Sequence, residues 1–414
     1  MDIVKVFGFL APIFWLIPSP WIYIRERCSQ KRNRKLNVSL LSKLNEKSHS
    51  FLKDFGIAQI SHGLPFFVSI ETHRDNSSFY LPIPNEKKKM LSKKRFSQRI
   101  NNPECNCLSD SFSKKNEFNK GFGLFGLKWD EATKQEIREI SIKVADRIYN
   151  DIISGKRRFN GPLSGVYRYS EIYDENDENV IIPNISLYKS DFFTFRVFAQ
   201  YYKDHWETIK DIYSSESITD TVNALSMPFL SSLGVSIIAV ISTNSITDSI
   251  TEEDLVVIGF RSDKVEVDPD SYHFTMNEAV IPSDSMNNGT FSNGAIRGFI
   301  EELKWAEDSE MRFSQFYFTD LYLDTNKCEV GLTGFVKIGL TGRMSNDIDY
   351  AKKKLMGLYS NARDSSLETK TIVFIPVKEI RQFISENHHT MSAGFAVALN
   401  NFVERYELGV LKTC

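Results

Sequence analysis

The sequence predicts an α/β protein in which a mixed β-sheet lies between helices, preceded by a small α+β unit and a single N-terminal transmembrane helix. Three observations predict this fold class. Residues 6–24 carry no charge, residues 130–153 repeat apolar side chains at helical spacing, and residues 234–408 alternate β-branched runs with helical patterns. Because alternating strands and helices bury their apolar faces best as layers, we expect helices on both faces of the sheet.

The composition is that of a globular protein large enough for two or three structural units. Of its 414 residues, 42% are hydrophobic and 25% are charged, which allows large buried cores. The formal net charge of −2 argues against a uniformly basic nucleic-acid scaffold. The five cysteines are scattered and odd in number, so we expect reduced thiols in the cytosol and no zinc site.

Residues 6–24 have the length of a membrane crossing, because about 19 residues of helix span roughly 28 Å. Trp21 and Tyr23 lie where interfacial aromatic residues are expected, and six basic residues follow within residues 25–35. Residues 1–25 are therefore predicted to form a single-pass transmembrane segment in the inner membrane. Positive flanks stay inside, so the C-terminal domain should be cytoplasmic.

Two other interpretations of the apolar segment stay open. A cleaved signal peptide would carry positive charge before its apolar run, whereas only Lys5 precedes this one. A buried helix of a soluble domain is the second, since Pro12, Pro18 and Pro20 disfavour a continuous helix. Membrane helices tolerate proline when the freed backbone groups find partners, so we favour membrane insertion.

Three further regions follow the transmembrane segment. Residues 26–128 are predicted to be a basic juxtamembrane region and irregular linker, although residues 36–60 show helical periodicity. A solvated loop is expected at 82–120, with contact to a membrane surface or an anionic partner as the alternative. Residues 129–220 are predicted to form a helical and α+β unit, whose long helix covers 130–153.

Residues 221–414 are predicted to form the main α/β domain. The expected strands are 234–243, 254–260, 312–324, 327–340 and 370–376. The expected helices are 293–305, 346–359, 377–386 and 391–408.

The helix predicted at 293–305 carries the most informative chemistry, because Arg297, Glu301 and Glu302 lie on it within two turns. Carboxylates close together on one helix can bind a hard cation, and such a cation offsets the charge of phosphates. A purely structural interpretation is also open. In that case the helix is an exposed amphipathic segment in which Arg297 and Glu301 form an i,i+4 ion pair.

The segment from 297 to 305 resembles the second half of the Nudix signature. The matching residues are Arg297, Phe299, Glu301, Glu302 and Trp305. Gly298 stands where the signature has a glutamate, and Lys304 stands where it has its closing glycine. The resemblance implies that residues 221–414 form a Nudix-like domain, in which Glu301 and Glu302 would be catalytic residues and ligands of Mg²⁺.

Residues upstream of this helix extend the resemblance. Glu278 and Asp284 precede it as acidic residues do in a divergent Nudix-like group, and either of them could replace the metal ligand that is missing at Gly298. The implied metal set is Glu278, Asp284, Glu301 and Glu302, and the implied nucleotide-binding residues are Arg297 and Glu278. His273 is expected to make a local hydrogen bond rather than to act as a base.

The combination of anchor, basic flank and Nudix-like domain resembles the transmembrane–Nudix effectors found beside bacterial cyclic-oligonucleotide synthases. That resemblance implies a protein that binds a nucleotide signal, such as a cyclic oligonucleotide, then forms homo-oligomers and disrupts the membrane in antiphage defence. The alternative is a membrane-tethered, Mg²⁺-dependent hydrolase of nucleoside diphosphate-linked substrates, and a third interpretation is an anchored adaptor without a small ligand. Because an eroded carboxylate set weakens charge stabilisation at a pyrophosphate, we favour binding without hydrolysis.

Overall fold

A computed structural model describes most of the chain from Ile57 onward. The described residues are 57–66, 69–72, 81, 130–154, 161–174, 177–205, 230–242, 249–263, 265, 268–285, 291–324, 327–362, 369–409 and 411. The predicted transmembrane segment, residues 1–25, lies outside them, as does the whole loop predicted at 82–120. Within the described ranges, no helix combines the length and the apolar character that a membrane crossing needs.

The described part of the chain is built from strands and helices in mixed order. The strands are β1 (Ile57–Phe66), β2 (Ser69–Thr72), β3 (Pro162–Asp174), β4 (Asp177–Asp191), β5 (Leu233–Ser242), β6 (Leu255–Arg261), β7 (Tyr272–His273), β8 (Met276–Ala279), β9 (Met311–Asp324), β10 (Glu329–Leu340) and β11 (Thr369–Pro376). The α-helices are α1 (Glu131–Ile153), α2 (Phe192–Asp204), α3 (Pro282–Ser285), α4 (Phe291–Glu301), α5 (Arg343–Asn346), α6 (Ile348–Ser360), α7 (Ile380–Asn387) and α8 (Ala393–Glu407).

The main sheet has eight strands and is mixed, as the sequence predicts. Its order is β1-β9-β10-β5-β6-β11, with β7 paired to β6 and β8 paired to β5. The β5–β10 pair is parallel, and the other pairs in this sheet are antiparallel. Strand β5 is buried along its whole length, which explains why its sequence is a continuous β-branched run rather than an alternating one.

Helices cover both faces of the main sheet, which confirms the predicted layers. Alternate side chains of β5 enter two different hydrophobic cores. Ile237 belongs to the core that contains Phe299 of α4, whereas Ile238 belongs to the core that contains Phe395 of α8. The helix that carries the Nudix-like motif is therefore fixed on one face by buried apolar contacts, with α8 on the opposite face.

A buried ion pair fixes α8 against the sheet. Arg405 donates through Nη2 to Oδ1 of Asp320 on β9 at 2.8 Å and through Nη1 to Oδ2 at 3.1 Å. Asn401 donates to the same Asp320 carboxylate at 3.1 Å. Because both charges are almost completely buried, removal of either partner would leave an uncompensated charge in the core.

The smaller sheet has three strands in the order β2-β4-β3, with β2 parallel to β4 and β3 antiparallel to it. Helices α1 and α2 pack together beside it around a core that includes Ile140 and Phe198. Asp191 caps α2, since its side chain accepts from the backbone N–H of Thr194 at 2.8 Å. The long helix predicted at 130–153 is confirmed as α1.

Strand β1 differs from the sequence-based expectation. It lies within residues 26–128, which were predicted as a basic region and irregular linker, and its first residues belong to the stretch with helical periodicity. Its partner in the main sheet is β9, with Ile57 opposite Asp324. Because that partner is distant in the chain, pairing with it overrides a local pattern that indicates helix.

Candidate functional site

The Nudix-like motif lies in a turn–helix–turn beside the main sheet. The short turn α3 precedes the motif helix α4, which ends at Glu301 rather than at the predicted residue 305. Lys304 then adopts a left-handed conformation, with φ of 57°. Its backbone N–H donates to the carbonyl of Ile300 at 3.1 Å, which satisfies one carbonyl at the end of the helix.

Arg297 is clamped between two acidic residues that come earlier in the chain. Its Nη1 lies 3.2 Å from Oε1 of Glu278, and its Nη2 lies 2.9 Å from Oδ2 of Asp284. Two further donations go from Nε to Oδ1 of Asp284 at 3.3 Å and from Nη2 to the carbonyl of Ala279 at 2.7 Å. Most of the N–H donors of this guanidinium are thus directed at groups of the protein itself.

Partial burial does not neutralise the guanidinium of Arg297. Burial lowers the pKa of Arg297, but the charge of Glu278 and the hydrogen bond with Asp284 raise that pKa by more, so the guanidinium stays charged. Asp284 also accepts from the backbone N–H of Ile281 at 3.0 Å, which holds its carboxylate in the turn. With two carboxylates around one guanidinium, the cluster has a formal charge of −1.

Gly298 occupies a position that has no room for a side chain. A Cβ atom there would overlap Sδ of Met276 on β8, and it would lie 2.6 Å from Cγ of Met276 and 3.2 Å from Cβ of Glu278. Met276 is completely buried in the same core as Phe299. The glutamate of the Nudix signature therefore cannot be accommodated here unless the buried side chain of Met276, α4 or β8 moves.

Glu301 and Glu302 lie at the C-terminal end of the motif helix. Glu301 is the last residue of α4, and Glu302 is in the turn that follows. Burial, together with the nearby charge of Glu302, raises the pKa of Tyr359 to about 12, which places Glu302 near the end of α6. Their predicted catalytic and metal-binding roles stay predictions.

The donor set as arranged does not fit a resident Mg²⁺ ion. Glu278 and Asp284, the two candidates for the missing ligand, both face Arg297, and Gly298 is closed by Met276. Within the described ranges, no group of three or more His, Cys, Asp or Glu side chains is placed to hold a metal ion.

An open cleft of about 520 Å³ adjoins the end of the motif helix. It is lined by Lys304, Glu307, Asp308, Leu358 and Asn361. Its volume lies in the range that small-molecule sites occupy in proteins. In the sequence, Lys304 stands out only as a departure from the signature. Because the position after a helix end favours glycine, a lysine there is a signal that could have identified it as a candidate site residue.

His273 makes the local hydrogen bond that the sequence predicts. Nη1 of Arg261 lies 3.1 Å from Nε2 of the buried His273 ring. Burial, followed by the positive charges of Arg261 and Lys327, holds the pKa of His273 well below its ordinary value. The ring is therefore neutral at neutral pH and accepts the hydrogen bond from Arg261 through Nε2.

No family model and no curated protein matches the chain. Solved structures that resemble it include Tm1382, named as a candidate Nudix hydrolase, at 10% identity and a TM-score of 0.25, over 42% of this chain and 70% of that one. Another is DR0079 from Deinococcus radiodurans, at 10% identity and a TM-score of 0.24, over 38% of this chain and 74% of that one. At such TM-scores the interpretation depends on the geometry and motif of the chain itself.

Proposed function

We propose that residues 221–414 form a Nudix-like domain that binds a nucleotide signal without hydrolysing it. The clamp around Arg297 is the observation that carries the proposal. Two carboxylates suited to a metal are engaged by a guanidinium, and the position of a third is closed by Met276. A helix built in this way supports recognition better than pyrophosphate cleavage, which depends on charge stabilisation in the transition state.

The proposed ligand site is the cleft at the end of α4. Lys304 supplies a positive charge to it, and Asn361 supplies hydrogen-bonding groups that suit a nucleotide. Glu307 and Asp308 also line the cleft and disfavour a highly charged ligand. Asp308 is partly neutralised by Lys354, whose Nζ lies 2.8 Å from Oδ2. This balance favours a ligand with few phosphates and a neutral base over a nucleoside triphosphate.

We further propose that the domain is tethered to the inner membrane by residues 1–25 and that ligand binding drives homo-oligomerisation and membrane disruption in antiphage defence. The support is the uncharged segment 6–24, followed by its basic flank. Binding can shift an assembly equilibrium only if the ligand has higher affinity for the assembled form. The signal must therefore stabilise oligomers as well as bind to monomers.

The decisive experiment is the thermal stability of the purified full-length chain, in mild detergent, against cyclic oligonucleotides and nucleoside diphosphate conjugates. Each ligand is tested with Mg²⁺ and with chelator, and its integrity is checked afterwards by mass spectrometry. At 100-fold excess over Kd, binding should stabilise the fold by about 2.7 kcal/mol. A chelator-insensitive shift with intact ligand supports the proposal.

Matched variants locate the site and test for hydrolysis. Lys304→Glu should abolish the shift, whereas Lys353→Glu, which changes an exposed lysine of α6 that does not line the cleft, should preserve it. Mg²⁺-dependent loss of ligand that disappears in Glu301→Gln and Glu302→Gln would establish the hydrolase instead. Removal of residues 1–25 should eliminate toxicity in cells and leave ligand binding intact, and toxicity that survives this truncation would contradict membrane disruption.

A further inference from the structure

The residues from Glu278 to Asp284 lie between the motif helix and the three-stranded sheet. On one side, Glu278, Asp284 and the carbonyl of Ala279 hold Arg297 of α4. On the other side, the carbonyl of Val280 accepts from the backbone N–H of Ser164 on β3 at 2.8 Å. Residues 278–284, called the relay segment below, thus contact both partners within a few residues.

Strand β3 contacts the main sheet through backbone hydrogen bonds and through a shared hydrophobic core that includes Val166 of β3 and Val235 of β5. Besides the bond from Ser164, the backbone N–H of Val166 donates to the carbonyl of Leu230 at 2.8 Å. The relay segment is itself tied to the main sheet, because the N–H of Val280 donates to the carbonyl of Leu233 at 2.8 Å. Ser164 is buried, and its N–H points away from β4. The hydrogen bond from Ser164 to Val280 therefore connects the three-stranded sheet to the segment that is tied to the main sheet.

We propose that the relay segment couples the state of Arg297 to the docking of the three-stranded sheet. The geometry supports this because the carbonyl groups of neighbouring residues, Ala279 and Val280, bind Arg297 and Ser164 respectively. If Arg297 shifts, the hydrogen bond that holds the carbonyl of Ala279 changes. Because Val280 is the next residue, the position of its carbonyl, which accepts from Ser164 of β3, changes as well.

The chemistry of the clamp gives this coupling a trigger. Arg297 does not line the proposed cleft, so the trigger requires an anionic group of the ligand that extends beyond the cleft and competes with Glu278 and Asp284 for the guanidinium of Arg297. When the guanidinium is drawn away, the two carboxylates repel each other and the relay segment loosens. The trigger depends on the proposed nucleotide binding, whereas the coupling itself does not.

The coupling reaches the part of the described chain that is nearest the N-terminus. In the three-stranded sheet, β4 lies between β3 and β2. Only residues 67 and 68 separate β2 from β1, the first described strand. A change in the docking of β3 therefore acts, through β4, on β2, which is one of the two described strands that lie earliest in the chain.

Hydrogen exchange of the full-length chain in detergent tests the coupling without any ligand. In Arg297→Lys, which keeps the charge but loses the two-point geometry, the peptide around Ser164 should exchange about tenfold faster, while the peptide covering β6 stays unchanged. Arg381→Lys is the matched control, because Arg381 makes a similar two-point pair with Glu407 on the opposite face. It should leave the exchange of β3 unaltered.

A second variant keeps the test decisive if Arg297→Lys loosens the whole fold. Ser164→Pro removes the N–H that donates to Val280 and spares the β3–β4 ladder, so in this background Arg297→Lys should add nothing to the exchange of β3. Additive effects of the two substitutions would overturn the coupling. In a further arm inorganic pyrophosphate is added: a thermal shift without faster exchange in β3 contradicts the relay. If no ligand produces a thermal shift, the proposed function is contradicted. The exchange rates of the Arg297→Lys and Ser164→Pro variants then decide whether the relay segment couples Arg297 to β3.

Discussion

Gly298 and Met276 are in such close contact that the motif helix α4 and strand β8 meet without space for a Cβ atom. A Cβ atom built on Gly298 would overlap the thioether of Met276, which is completely buried. In the Nudix signature this position carries a glutamate. The glycine at this position is therefore tied to a close helix–strand contact and does not lie at an exposed position.

Substitution of Gly298 should destabilise the protein although alanine is the better helix former. We expect Gly298→Ala to lower the free energy of unfolding by about 1 kcal/mol, because the overlap with Met276 outweighs the gain in helix propensity. Gly298→Glu should lower it by about 3 kcal/mol. Chemical denaturation measures both effects.

Gly357 is the matched control for this prediction. It lies in α6, and a Cβ atom there would have no neighbour within 4 Å. Gly357→Ala should therefore raise the free energy of unfolding by about 0.5–1 kcal/mol. If both alanine variants change stability in the same direction, the close contact at Gly298 is not what determines the residue there.

Removal of the guanidinium of Arg297 should be more harmful than removal of an exposed arginine. Arg297→Met leaves Glu278 and Asp284 without their counter-ion, and we expect a loss of about 2–3 kcal/mol in the free energy of unfolding. Arg381→Met, which breaks an exposed pair with Glu407, should change it by less than about 1 kcal/mol. Equal losses in the two variants would show that the clamp contributes nothing beyond a surface ion pair.

Local sequence patterns predict the strands and helices of residues 221–414 well, because the apolar residues of each element recur at the spacing typical of a strand or a helix. The strand predicted at 312–324 is β9 (Met311–Asp324), and the helix predicted at 346–359 is α6 (Ile348–Ser360). Element boundaries shift by only a few residues, since pairing and capping decide where each element begins and ends. Strand β1 was missed because its hydrogen bonds go to β9, more than 250 residues later in the chain.

The candidate site shows a sharper limit of sequence reasoning. The spacing along the chain indicates that Arg297, Glu278 and Asp284 belong to one region, but it offers Glu278 and Asp284 as metal ligands. The structure gives both of them to Arg297 instead. A charge pattern identifies which groups are near one another, whereas their pairing depends on how α4 packs against β8.

The buried His273 should make the stability of the fold depend on pH. Its pKa in the folded state lies well below the ordinary value of 6.5, so below about pH 6.5 the unfolded chain binds a proton that the folded chain does not. Stability should therefore fall as the pH falls from about 6.5, by up to about 1.4 kcal/mol per pH unit for this group. His273→Gln should reduce that slope, and His389→Gln, at an exposed position, should preserve it. An unchanged slope in His273→Gln would contradict the assignment.

Lys304 should show opposite effects on stability and on ligand binding. Its left-handed backbone is unfavourable for a residue with a Cβ atom, so Lys304→Gly should raise the free energy of unfolding by about 1 kcal/mol. Lys304→Ala keeps the Cβ atom and should not have this effect. Both variants remove the positive charge that lines the cleft, so both should weaken nucleotide binding to a similar extent. Denaturation measures the stability of the two variants, and ligand titration measures their affinity. A glycine variant that is more stable and still binds normally would show that the ligand does not bind in the cleft. The opposite result, with both properties changed as expected, would mean that a strained lysine is retained at this helix end for its charge.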